Sequence, residues 1–97
     1  MSIEKGDVVT IVSMLGEMIG EFVSEGSDTV TLKAPRVFVP TQGEQSGGFA
    51  PGLSMTGEQD MKGEVVFNKS VVLCVVPSHE VIAKRYREAV TGLALSS

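Results

Sequence analysis

Val65-Val66-Phe67-Asn68-Lys69-Ser70-Val71-Val72-Leu73-Cys74-Val75-Val76-Pro77 reads as two strands flanking a polar turn. Val65, Val66 and Phe67 centre a strand over Glu64 to Asn68. Lys69-Ser70 then interrupts the apolar character, and Val71 to Val76 follow as an unbroken apolar run. Such a run implies burial on both faces. In a chain of 97 residues one face meets the core, while the other must meet a helix or a neighbouring subunit. Left bare, an edge of this character is an aggregation hazard. The run therefore predicts self-association.

Working back towards the N-terminus, Asp7 to Met14 reads as a first strand, its β-branched bulk supplied by Val8, Val9, Ile11 and Val12. Leu15-Gly16-Glu17 is a tight connection to a second strand, Met18 to Ser24. Gly20 interrupts that strand, which permits a sharp bend or the close approach of another backbone. Ser24 to Asp28 has turn composition. Thr29 to Ala34 alternates, with Val30, Leu32 and Ala34 on one face, which marks a half-buried third strand. Pro35 ends or bulges it, and Val37-Phe38-Val39 extends it.

Pro40 to Gly63 differs in kind, with glycines interspersed among Gln, Ser and Pro and few large apolar groups, Phe49, Leu53 and Met55 among them. A segment this long without regular structure is uncommon in a compact domain and is usually either functional or disordered. It is a surface insertion, or a finger through which a protein partner docks.

Beyond Pro77, Ser78 is a good N-cap, and Glu80 puts negative charge in a helical first turn where the macrodipole favours it. Ile82, Tyr86, Val90 and Leu93 follow at helical spacing with Ala89 beside them, predicting a helix over about 79–91 whose stripe faces the protein. Gly92 suits its C-terminal cap.

Composition bounds the function. The chain is 42% hydrophobic but only 5% aromatic, more apolar surface than one small globule hides. Its formal net charge of −4 argues against a general nucleic-acid binder, whose affinity rests on many phosphate contacts. Residues 1–62 hold nine acidic and four basic groups, whereas 63–97 hold three and four, so any anion-facing surface is local. One cysteine, Cys74, fits a reducing compartment and reads as a small buried hydrophobe. No run approaches the ~20 apolar residues of a membrane span, and the polar N-terminus lacks a signal peptide's apolar region. A soluble cytoplasmic protein is expected, without cofactor or membrane partner.

The block Gly20 to Leu32, with Glu25-Gly26-Ser27-Asp28 at its centre, resembles the first Sm motif. Val66 to Ser78 resembles the second, especially as it occurs in the bacterial RNA chaperone Hfq. The whole is similar to small Sm-like proteins of marine phages, which share the Gly/Gln/Pro-rich insertion and a helix placed after the barrel; host cytoplasm is the corresponding location. The likeness covers about residues 6–90, excluding the insertion. It implies a mainly β fold: one domain over 1–97, a five-stranded, strongly bent antiparallel Sm-like (SH3-type) small barrel. A C-terminal α-helix follows the barrel, and a long insertion, about 40–63, separates the third and fourth strands. It implies a homo-oligomeric ring of five to seven subunits, the fourth strand of one pairing with the fifth of the next, with Val65, Phe67, Val71, Val72, Leu73 and Val75 at the interface.

The resemblance also implies single-stranded, uridine-rich RNA at a central pore, contacted through Asp28, Thr29, Asn68, Lys69 and Ser70. Glu25 falls at the family's acidic position, Asp28 at its base-stacking position, Thr29 at its Asn position and Lys69 at its basic one. Two of these depart from the pattern. Asp28 cannot stack and repels phosphate, and Thr29 lacks an amide's paired donor and acceptor. The competing expectation is a structural or protein-interaction ring, serving phage assembly or host interaction, without RNA.

Catalysis finds little support. His79, the single histidine, suits a polar role at the helix start, and Cys74 has no activating neighbour in sequence. One Cys and one His are too few for a structural zinc site. The loop glycines lack the strand-to-helix context and Lys-Ser/Thr ending of a phosphate loop. The expectation is a protein that is not an enzyme, with no metal and no catalytic residue.

Overall fold

The computed structural model describes residues 3–14, 16–40, 47–49, 53, 57 and 62–91. Six strands, a short 3₁₀ turn and one helix follow in the order β1 (Val8–Ser13), β2 (Gly16–Glu25), β3 (Thr29–Pro40), β4 (Gly47–Phe49), β5 (Glu64–Asn68), the 3₁₀ turn (Lys69–Val71), β6 (Val72–Pro77) and α1 (Glu80–Thr91). All five expected strands are present. The short β4 is an addition: it lies in the segment read as irregular and pairs with the end of β3, Phe38 opposite Phe49.

Every ladder is antiparallel, and the path runs β6-β1-β2-β3-β5, with β4 on the far end of β3. β5 and β6 stand at its two ends, and no ladder joins them to each other among the described residues. Among the described residues the sheet is therefore open.

Two bends shape it. At Gly20 the β2–β3 register shifts between Ile19 and Glu21, and a Cβ there would lie 3.0 Å from both Cβ and Cδ1 of Leu32. The backbone approach expected from sequence is present, with Lys33 O 3.3 Å from that Cβ position, but the tighter neighbour is the buried Leu32 side chain. At Ala34 the backbone takes φ 52°, a left-handed conformation that L-residues avoid. β3 continues past this kink through a buried Pro35, so the proline turns the strand without ending it.

Strand alternation sorts the apolar residues onto two faces. Val9, Ile11, Phe22, Val30 and Leu32 form the inner core, with Ile3, Met18, Phe67, Val72 and Val75 against it. Val8, Ile19 and Tyr86 form a second cluster beneath α1, joined by Phe38, Phe49, Ile82, Ala83 and Val90. Phe49 meets Phe38 and Tyr86 edge-on, with ring centroids 5.8 and 6.1 Å apart.

The helix is fastened at several points. His79 caps it, its Nδ1 accepting from Val81 N at 3.2 Å and its carbonyl from Ala83 N at 2.8 Å. This corrects the assignment of the cap to Ser78. Ser78 is held by the sheet instead: its N–H donates to Val8 O at 3.1 Å, and its hydroxyl shares a 2.8 Å hydrogen bond with that of Thr10. Arg87 donates to Gly6 O at 3.1 Å, and Lys62 Nζ reaches Val90 O at 3.3 Å, where cations favour a helix C-terminus. Ala89, expected beside the apolar stripe, is exposed. Leu93, Gly92 and Met55 lie outside the described residues.

Candidate functional site

Two surfaces hold the residues singled out from sequence. The first is built from the β2–β3 connection and the 3₁₀ turn between β5 and β6. Gly26 N donates to Thr29 O at 2.8 Å, closing the first loop, and Lys69 N donates to Asp28 O at 2.9 Å, tying the second loop to it. Thr29 lies directly opposite Asn68 in the β3–β5 ladder. Asn68 Oδ1 accepts from Ser70 N at 2.8 Å and so caps the turn. Asp28, Thr29, Asn68, Lys69 and Ser70, separated by some forty residues of chain, thus meet at one end of the sheet.

The electrostatics of that cluster oppose anion binding. Lys69 Nζ sits 2.7 Å from Glu25 Oε2, so its charge is already engaged. Asp28 is exposed beside it. Carboxylates outnumber cations in the cluster, and Asn68's carbonyl oxygen is occupied within its own turn.

The second surface comprises the two sheet edges, β5 and β6, that no strand pairs among the described residues. In β5 exposure alternates: Val65 and Phe67 turn half-buried towards the core, and Val66 turns outward, 62% exposed. In β6 Val72 and Val75 face the inner core, while Leu73 is 68% and Val76 40% exposed. Of the expected interface residues, Phe67, Val72 and Val75 are therefore chiefly core-packing side chains, and Val71 and Leu73 are the outward ones. The expectation that Val71 to Val76 are buried on both faces fails within one chain, and Cys74, read as buried, is exposed. The physical reason is position: among the described residues β6 has a partner strand, β1, on one side only. Val66 and Val76 were missed as surface residues, although the two-residue alternation through Val65 and Phe67 carries the signal for Val66.

Above β1 and β6 a cleft of about 290 Å³ opens beside the first turn of α1. Thr10, Val12, Ile19, Val76 and Ile82 wall it, with Glu17 and His79 also on its lining. Among the described residues no group of three or more His, Cys, Asp or Glu could hold a metal ion, and no helix is long and apolar enough to cross a membrane.

No known protein-family model matches the chain, and a search of curated proteins finds no relative.

Proposed function

We propose that the protein is a subunit of an Sm-like homo-oligomeric ring that acts as a non-enzymatic scaffold for other proteins. In this reading the open sheet completes a small bent barrel, and β5 of one copy pairs with β6 of the next around the ring. The observation that carries it is the pair of unpaired edges at opposite ends of one sheet path, each displaying outward valine or leucine side chains. A head-to-tail contact of this kind either closes into a ring or propagates as a filament. The Sm-like resemblance favours closure at five to seven subunits. Size-exclusion chromatography with light scattering tests it: one closed species of that order is expected, and a monomer at micromolar concentration overturns it. The segment 40–63 supplies the partner-binding finger, so deleting its residues 50–61, which spares the packed Phe49 and the Lys62 contact, leaves the ring assembled and abolishes capture of the partner.

A second reading is single-stranded RNA at the pore. What favours it is the convergence of Asp28, Thr29, Asn68, Lys69 and Ser70 at one end of the sheet. What weakens it is the Glu25–Lys69 ion pair. Labelled oligo-U at moderate salt, with and without Lys69→Ala, separates the two readings. No binding even at low salt removes RNA and leaves the scaffold.

A further inference from the structure

Main-chain pairing between strands as short as β5 and β6, five and six residues, leaves a specific interface short of the ~1,000 Å² it needs. Side chains flanking the edge must supply the remainder. The sheet's own alternation says which ones. Val12 lies opposite Cys74 and Thr10 opposite Val76, and residues directly opposed in a ladder share a face. Thr10, Val12 and Val76 line the cleft beneath α1, so Cys74 and Val76 belong to that outer face. In β5 the outward residue is Val66, because Phe67 packs on the inner core.

A second copy joined antiparallel, like every ladder within the chain, must keep both faces in phase. A one-residue slip would set Val65 and Phe67 against the neighbouring copy's outer-face residues in place of its core-facing ones. In phase, Val66 falls on the side of Cys74 and Val76. We infer that Val66 of one copy seats against Cys74 and Val76 of the next, at the mouth of the cleft, and is the side chain that fixes the register between subunits. The inference rests on the ring reading and adds to it a side-chain contact outside the strand ladder. It also accounts for three exposures at once: those of Val66, Cys74 and Val76.

Directly opposed residues on antiparallel strands have Cα atoms about 4.5–5.5 Å apart, which suits a disulfide with its Cα separation of about 4.4–6.8 Å. The full-length chain carrying Val66→Cys with native Cys74, and a second carrying Val66→Cys, Val76→Cys and Cys74→Ser, are treated with a mild thiol oxidant and run on non-reducing gels. One of the two is expected to give a covalent ladder that reducing agent collapses, whereas the unsubstituted chain does not. Val81→Cys, on the exposed face of α1, controls for random collision. An intact oligomer that forms no ladder in either variant, or forms one equally from Val81→Cys, overturns the contact and spares the ring. A monomeric chain overturns both. Val66→Lys should also shift the assembly towards smaller species by at least tenfold in dissociation constant, and an unchanged value counts against the contact.

Discussion

The hydroxyl of Tyr86 donates to Ala34 O at 2.8 Å, joining the helix's one buried side chain to the left-handed residue of β3. Lys33 O lies at 3.0 Å and shares the same proton. Helix, strand kink and second core therefore meet at one phenol. Removing the hydroxyl with Tyr86→Phe leaves both carbonyls without this donor and should cost about 1–2 kcal/mol. Thermal denaturation at a fixed protein concentration checks it, since oligomers make the midpoint concentration-dependent.

The same phenol dictates an alkaline limit. Burial pushes its pKa from 10.0 up to about 12, against the opposing pull of the Arg36 guanidinium. Below pH 10 the phenol is neutral folded and unfolded, and contributes no pH dependence. Between 10 and 12 the unfolded chain releases the proton while the folded chain holds it, so stability falls, by roughly 2–3 kcal/mol across the window. Because the chain has one tyrosine and no tryptophan, tyrosinate absorbance reports this group alone. The absorbance should rise together with the loss of folded structure, and Tyr86→Phe should lack this part of the decline. Tyrosinate appearing near pH 10 in a fully folded protein would contradict the burial.

Ala34 supplies a sharper test of the kink. An alanine at φ 52° costs about 1–2 kcal/mol relative to the right-handed region. Ala34→Gly relieves that strain but frees the unfolded chain and deletes a buried methyl, so its net effect should stay within about 1 kcal/mol. Ala34→Val adds β-branching where the backbone tolerates it least, in a buried position, and should cost more than about 2 kcal/mol. Urea denaturation of the two variants should rank them in that order.

Much of this was legible beforehand, and the exceptions share a cause. Alternation through Val30, Leu32 and Ala34 marked the third strand because one face is buried, and the 3.6 period through Ile82, Tyr86 and Val90 marked the helix for the same reason. The unbroken run Val71–Val76 said less, because continuous apolarity carries no phase. It predicts burial without saying whether the cover is intramolecular, and in the single chain Leu73, Cys74 and Val76 stay exposed. The N-cap was misplaced by one residue, since Ser78 finds Thr10 across the sheet, a long-range partner no local pattern announces. The loop cluster followed from motif order. The ion pair that engages its lysine depends on side-chain placement and was visible only in three dimensions.

That ion pair makes the last prediction. Lys69 and Glu25 are both partly exposed, so their 2.7 Å contact is worth about 0–1 kcal/mol, and Glu25→Gln should leave folding stability nearly unchanged. Its effect on anions should be larger than its effect on folding. Releasing Lys69 and deleting one carboxylate makes the same end of the sheet less negative, and in the proposed ring that change would recur in every subunit. Oligo-U binding at low salt should therefore strengthen several-fold in Glu25→Gln and revert with added Lys69→Ala. The slope of log affinity against log salt should steepen by about 0.7 for each phosphate newly neutralised on a single strand. Fluorescence anisotropy over a salt series measures both. Should Glu25→Gln bind no more oligo-U than the unsubstituted chain, Lys69 is not what limits the affinity, and the loop cluster loses its claim to an RNA contact.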